Sequence, residues 1–301
     1  MSTAPELAEV SAIGPAQPPV GRHDDRLTLW FDWIARPVFG FLLAGLAVGA
    51  TIWGGFAFVA FISVGCAAAI REWHRLFAQH FWVPASITVS AMIAALVLQL
   101  EASASPVLWH GVAAAALAVG SLCNLLLGFS RREAPFANAA GVLYIGFPAL
   151  ALLMVRLSPD HPIWSVILIF LAVWATDTGA LFFGKLIGGP RLAPLLSPKK
   201  TWAGSVGGLV SAAVIAGGVG LFLHTRVLPP LVFAIVVSFA GQVGDLFESM
   251  VKRRAGRKDS GRLIPGHGGA LDRIDSILFA APVAAGIILL AAFDPLAGAH
   301  P

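Results

Sequence analysis

Apolar stretches long enough to cross a lipid bilayer, about 20 residues each, follow one another through most of the chain after residue 36. Backbone groups in lipid must be hydrogen-bonded within the protein, and no stretch shows the alternation of barrel strands, so these stretches are expected to be helices. Only 12% of the residues are charged, which is about half the share in soluble proteins. The sequence therefore predicts an all-α, polytopic integral membrane protein and excludes disordered, fibrous and secreted disulfide-rich classes.

About nine transmembrane helices are predicted from the apolar pattern. The stretch 37–70 is too long for one span and long enough for two, and the segment 49–55 (GATIWGG) is the predicted hairpin between them because glycines favour a turn. The other seven spans are predicted at 81–99, 107–129, 136–156, 163–187, 202–224, 228–249 and 274–293.

Three parts of the chain are distinguished by composition. Residues 1–26 combine Pro, Ala and Ser with mixed charge and lack the basic and apolar regions of a cleavable signal, so a disordered N-terminal tail is expected. Residues 27–160 are predicted to be N-terminal transmembrane helices. Residues 161–301 are predicted to form a C-terminal catalytic transmembrane region with cytoplasmic loops at 188–201 and 250–273.

The basic residues indicate how the helices are oriented, because Lys and Arg in short loops collect on the cytoplasmic side. With nine spans and a cytoplasmic N-terminus, 18 of the 20 basic residues fall inside, and only Arg156 and Arg226 fall outside. Adding or removing one internal span breaks this partition. We therefore predict a cytoplasmic N-terminus, a C-terminus outside, and a functional site that faces the cytoplasm.

Acidic side chains inside the predicted spans are the first candidates for function, because each costs at least about 2.5–3.5 kcal/mol on insertion. Asp245 and Glu248 are three residues apart and therefore lie on one helical face. Two structural alternatives stay open, namely pairing of Asp177 with Lys185 near the interface and of Glu248 with Lys252 at i, i+4. The acidic candidates are Asp177, Asp245, Glu248 and Asp275.

The segment after the eighth span is rich in basic residues and glycine. Seven basic residues lie between 252 and 273, and the run 266–269 (GHGG) offers backbone N–H groups that can approach a phosphate closely. A membrane anchor for anionic lipid is the alternative. Asp272 and Asp275, again three residues apart, open the last apolar helix, and an anchor needs no carboxylates there.

Carboxylates together with basic groups and glycine-rich backbone suit one chemistry above others, in which Mg²⁺ is held by carboxylates and substrate phosphates while Lys and Arg take up phosphoryl charge. Phosphoryl or nucleotidyl transfer is therefore indicated. A second basic turn, 188–202, adds Arg191, Lys199 and Lys200, and its Ser197 is either a helix cap or a phosphate contact. His267 is expected either to contact phosphate or transfer a proton, or to have a structural role. No P-loop motif is present.

These residues resemble the phosphatidate cytidylyltransferase (CDP-diacylglycerol synthase) family. The resemblance depends on the pattern S-x-x-K-R-x4-K-D-x-G-x-x-I-P-x-H-G-G-x-x-D-R-x-D, which runs from Ser249 to Asp275. Two shorter blocks agree with it, D-x-G-A starting at Asp177 and S-P-x-K-T-W starting at Ser197. Together they cover about residues 165–290.

The resemblance implies transfer of the cytidylyl group of CTP to phosphatidate, giving CDP-diacylglycerol and pyrophosphate, with Mg²⁺, in a bacterial inner membrane. It suggests a homodimer and leaves open a second, monovalent cation. It implies Asp245 and Asp272 as the metal ligands. The implied catalytic residues are Asp245, Asp272, Lys252, His267, Asp275 and Asp177. The implied substrate-binding residues are Ser197, Lys199, Lys200, Ser249, Arg253, Lys258, Asp259, Gly268, Gly269 and Arg273.

Three other functions are alternatives to this one. A nucleotidyltransferase acting on another lipid phosphate would use the same residues. A membrane transporter also places acids within spans, but its expected internal repeat is not visible and the charges here cluster at the cytoplasmic ends of C-terminal helices. A binding module or membrane scaffold leaves the buried carboxylates unexplained. The sequence lacks the interleaved aromatic and basic residues that would indicate nucleic-acid binding.

Overall fold

The structure, a computed structural model, describes residues 25–77, 80–100, 106–261 and 268–298 and is built almost wholly of helices. The predicted tail 1–26 lies outside the described residues except for its last two. The helices are α1 (Asp25–Trp53), α2 (Gly55–Phe77), α3 (Trp82–Leu100), α4 (Pro106–Arg131), α5 (Pro135–Gly141), α6 (Phe147–Arg156), α7 (Pro162–Leu186), α8 (Trp202–Phe222), α9 (Leu228–Arg254) and α10 (Leu271–Ala285).

The number of spans agrees with the prediction. A π-helical turn, Val142–Gly146, joins α5 to α6 in one continuous span, and a second, Gly286–Leu290, extends α10. Within the described residues, 8 segments are long and apolar enough to cross a membrane, and Val38–Trp53 is a shorter apolar helix beside them. The expected all-α polytopic membrane fold is thereby confirmed.

The hairpin predicted at 49–55 is confirmed at the junction of α1 and α2. Gly54 and Gly55 have φ values of 73° and 49°, in the left-handed region that glycine enters without a steric penalty. The Arg156 Nε–H donates a hydrogen bond to the Thr51 carbonyl at 2.7 Å, so the end of α6 lies beside this turn.

Two predicted loops differ from the structure. Helix α9 continues to Arg254 and α10 already begins at Leu271, so the predicted loop 250–273 is shorter at both ends. Hydropathy finds only the part of a helix that lies in hydrocarbon, whereas α9 continues into the interface, where basic residues suit its C-terminal dipole. The predicted loop 188–201 contains an antiparallel hairpin of strands β1 (Arg191–Ala193) and β2 (Ser197–Thr201).

Helices α7 and α8, which the hairpin joins, are in close backbone contact. A Cβ atom added at Gly204 would lie 2.7 Å from the Ala180 carbonyl oxygen, and one at Gly208 would lie 2.9 Å from that of Thr176. Small residues allow helices to approach in this way in membranes. Helix α8 also packs against α9, and α9 against α10, which in turn contacts α6 and α2 of the N-terminal half.

The basic residues separate to the two ends of the bundle. A Glu72–Ser260 hydrogen bond places the end of α2 beside the end of α9. Arg156 contacts the turn at the other end of α2, and the Arg226 N–H donates to Ala297, beyond the far end of α10. These two arginines therefore lie at the end opposite to Ser260, as the charge partition predicts.

Candidate active site

Three carboxylates meet where α9 crosses the start of α10. Oxygen atoms of Asp245, Glu248 and Asp275 all lie within 4.8 Å of one another. Glu248 is fully buried, and its Oε1 atom has no hydrogen-bond partner among the described residues. We call these three residues the carboxylate cluster.

Gly244 allows the two helices to come this close. A Cβ atom at this position would lie 2.7 Å from the carbonyl oxygen of Asp275 and 3.0 Å from the Cβ of Phe279. Any larger residue would therefore push α10 away from α9. The glycine next to Asp245 is thus what brings Asp275 to the cluster.

Two lysines lie against the carboxylate cluster from different elements. Lys200, on β2, forms an ion pair with Asp245, and both side chains are partly exposed. The Lys252 ammonium donates to Glu248 Oε2 at 2.8 Å and to Asp272 Oδ1 at 2.6 Å. The i, i+4 pairing of Glu248 with Lys252 is therefore present, but Glu248 is also a member of the carboxylate cluster.

Asp272, expected as a metal ligand beside Asp245, has a hydrogen-bond partner on each of its carboxylate oxygens. Its Oδ1 atom accepts the Lys252 hydrogen bond, and its Oδ2 atom accepts from the backbone N–H of Gly269 at 3.1 Å and of Ser260 at 3.4 Å. Asp272 is not a member of the carboxylate cluster in the described part of the chain. The role of Asp272 as a metal ligand beside Asp245 stays a prediction.

Asp177 approaches the carboxylate cluster from α7. Its carboxylate lies near those of Asp245 and Asp275 and near the charged ends of Lys200 and Arg273. Asp177 and Lys185 are both exposed, and no ion pair joins them in the part of the chain that the structure describes. The pairing of Asp177 with Lys185 is therefore not seen, and a role of Asp177 in the site stays a prediction.

The other predicted substrate-binding residues lie on the hairpin, on α9, on α10 and in the segment between these two helices. Arg253 is exposed, and its Nε–H donates to the Leu196 carbonyl in the hairpin at 3.4 Å. Thr201, rather than Ser197, caps α8, its hydroxyl accepting from the Gly204 N–H at 3.1 Å. His267 lies outside the described residues. Exposed predicted residues are Lys199, Lys258, Asp259 and Arg273. Partly or fully buried ones are Ser197, Ser249, Gly268 and Gly269.

Glu72, on α2, was not among the predicted residues. It is 1% exposed, and its Oε2 atom accepts hydrogen bonds from the Ser260 hydroxyl at 2.8 Å and the Leu271 N–H at 3.0 Å. In the sequence it stands at the charged end of an apolar span, between Arg71 and Arg75, where acids are common. Only its partners, far away in the chain, distinguish it.

The carboxylate cluster fits a divalent cation. Mg²⁺ takes oxygen ligands at about 2.0–2.1 Å, so ligands on opposite sides of the ion lie about 4.2 Å apart. The oxygens of Asp245, Glu248 and Asp275 fall within 4.8 Å, a spacing that suits this geometry after small side-chain adjustments. The buried Glu248 Oε1 atom, which lacks a described donor, adds to the fit because such an atom is costly without a partner.

Comparison of the sequence with known proteins shows which family the chain belongs to. The sequence model described as "Cytidylyltransferase family" matches residues 34–291. The chain belongs to this family. The chain is 35% identical over 260 residues to the phosphatidate cytidylyltransferase of Brucella suis biovar 1, covering 85% of this chain and 86% of that protein.

Shorter alignments give higher identities. The chain is 41% identical over 157 residues to the phosphatidate cytidylyltransferase of Staphylococcus saprophyticus, covering 52% of this chain and 59% of that protein. The protein of the same name from Staphylococcus epidermidis is 47% identical over 120 residues, covering 39% and 46%. The family and these names support an enzyme and confirm the resemblance identified in the sequence.

Proposed function

We propose that the chain transfers the cytidylyl group of CTP to phosphatidate, giving CDP-diacylglycerol and pyrophosphate. A phosphate oxygen of phosphatidate attacks the α-phosphorus of CTP, and the bond from that phosphorus to the oxygen of the leaving pyrophosphate breaks. The names of relatives that align over 85% of the chain support this reaction. The reacting oxygen is already ionised, so the reaction requires charge stabilisation rather than a covalent enzyme intermediate.

The observation that carries the proposal is the carboxylate cluster with its two lysines. Asp245, Glu248 and Asp275 would hold Mg²⁺, which when bound would neutralise phosphate oxygens and polarise the reacting phosphoryl group. Lys200 and Lys252 lie beside the same carboxylates, where their ammonium groups can interact with the triphosphate and the leaving pyrophosphate. Asp272 holds the Lys252 ammonium in place, where it can stabilise the charge that develops on the leaving pyrophosphate.

We also propose that the site faces the cytoplasm of a bacterial cell from its inner membrane, with the N-terminus inside and the C-terminus outside. The segregation of Arg156 and Arg226 to the end of the bundle opposite to Ser260 supports this orientation, because cytoplasmic ends carry the excess of Lys and Arg. The aligned relatives named above are bacterial. A site at this end meets CTP from the cytosol and phosphatidate from the inner leaflet.

The homodimer implied by the resemblance stays a prediction. The molar mass of the purified protein in detergent, measured by light scattering with the detergent contribution subtracted, gives the number of chains. Twice 31.4 kDa is expected for the protein part.

The experiment that tests the function is incorporation of radiolabelled CTP into lipid by the purified protein in mixed micelles with phosphatidate. We expect labelling that requires Mg²⁺ and selects CTP over the other nucleoside triphosphates. Repeating the assay with Na⁺ and K⁺ tests whether a monovalent cation contributes. Labelling of a different lipid phosphate, but not of phosphatidate, would reassign the acceptor, and no labelling by folded protein would refute the proposal.

A further inference from the structure

Glu72 belongs to the N-terminal half of the chain, yet its carboxylate lies among the residues between α9 and α10. The side chain is buried and its Oε1 atom has no partner among the described residues, so the donors to its other oxygen are what offset the cost of burial. Its Oε2 atom accepts from the Ser260 hydroxyl at 2.8 Å and from the Leu271 N–H at 3.0 Å. A single oxygen atom therefore holds residues near both ends of the segment that joins the two helices.

The contact with Leu271 also stabilises the start of α10. The N–H groups of a helix's first turn have no partner within the helix, and negative charge near them is favoured by the helix dipole. The residue before the helix, Ala270, provides no side-chain cap. Glu72 supplies the missing acceptor from a position 199 residues earlier in the chain. The next residue of α10 is Asp272, so this contact directly precedes a residue of the site.

Two glycines fold closely around the Glu72 side chain. A Cβ atom at Gly261 would lie 3.0 Å from the Glu72 Cγ atom and still nearer to the carboxylate. A Cβ atom at Gly269 would collide with the Ser260 hydroxyl and with Glu72 Oε2, and would lie 2.9 Å from the Gly261 nitrogen. Because little space remains between these groups, the Glu72 side chain and the backbone at Gly261 and Gly269 hold one another in place.

A short chain of contacts leads from this backbone to the site. The N–H groups of Ser260 and Gly269 donate to Asp272 Oδ2 at 3.4 and 3.1 Å. The other oxygen of Asp272 accepts from the Lys252 ammonium at 2.6 Å. Displacing Ser260 or the start of α10 therefore displaces Asp272, and with it the ammonium group beside Glu248.

We propose that Glu72 is a positioning residue for cytidylyl transfer, which holds Ser260 and Leu271 so that Asp272 and Lys252 keep their places. This inference rests on the proposed function. It extends the catalytic region beyond residues 161–301, because α2 then contributes to the site. Glu72 acts through Asp272 and Lys252 and has no role in contacting either substrate.

The test is Glu72→Gln, which keeps the size of the side chain and removes its charge. We expect kcat to fall about 100-fold, the effect of a misplacement of about 1 Å in an active site, while the KM for CTP changes less than about threefold. Glu133→Gln is the matched control, because Glu133 pairs with the exposed His80 and is expected to keep the wild-type kcat. Thermal midpoints of all variants in detergent show whether the protein compared is folded.

Ser260→Ala supplies a second variant, since it removes one of the two hydrogen bonds and leaves the charge. We expect a loss of about tenfold in kcat. The double variant with Glu72→Gln should be within about twofold of Glu72→Gln alone, because both changes act on the same contact.

Wild-type kcat in folded Glu72→Gln protein, with or without a lower thermal midpoint, would overturn the inference and leave the proposed function standing. If Glu72→Gln does not fold, wild-type kcat in Ser260→Ala overturns it instead. Absence of lipid labelling by the wild-type protein would overturn the proposed function and this inference with it.

Discussion

Lys252 lies between two carboxylates, and its replacement by Met removes the charge while keeping a long flexible side chain. The ammonium is 2.8 Å from Glu248 and 2.6 Å from Asp272, and the lysine side chain is only 12% exposed. Each contact contributes about 6 kcal/mol of Coulomb attraction at an effective dielectric constant of about 20. Desolvation of the three charges offsets most of this. Removing the lysine leaves two carboxylates without their counter-ion, which costs about 3–5 kcal/mol.

The assay is thermal unfolding of the detergent-solubilised protein in metal-free buffer at about pH 7. At about 2–4 °C per kcal/mol, Lys252→Met should lower the midpoint by about 6–20 °C. Lys185→Met, at an exposed position near the end of α7, is the control and should leave it unchanged. Adding Asp272→Asn to Lys252→Met should recover part of the loss, because one uncompensated charge is removed. An unchanged midpoint in Lys252→Met, or a further fall in the double variant, would refute this electrostatic account.

Three further predictions concern the site, the orientation and the packing. Asp245→Asn should abolish lipid labelling and Mg²⁺ dependence while the protein remains extractable and folded; wild-type rates would contradict the metal assignment. A cysteine at Arg254, in a cysteine-free background, should resist an impermeant reagent in intact cells and react in inverted vesicles, and labelling from outside would reverse the orientation. Gly204→Ala, whose Cβ would lie 2.7 Å from a carbonyl oxygen of α7, should cost about 1–3 kcal/mol of stability. Gly218→Ala, which meets nothing within 4 Å, should cost less, and equal midpoints would argue against the tight α7–α8 contact.

Several features of the fold could be predicted because they depend on local properties of the chain. The length of the apolar segments indicated the spans, and the glycines at 54 and 55 marked the break between α1 and α2. The three-residue spacing of Asp245 and Glu248 places both on one face of α9, and both lie in the carboxylate cluster. Helix ends were less accurate, because hydropathy does not report where a helix continues into the interface.

The sequence by itself determined the membrane class, the number of spans and which helices carry acids, because hydropathy and helical spacing act over short segments of chain. Tertiary structure alone decided which acids meet. Asp275 joins Asp245 and Glu248, because Gly244 lets α10 approach α9 at that level. Glu72 reaches Ser260 because α2 packs against α10. Contacts between residues so distant in the chain depend on how helices pack, and no local pattern encodes that packing.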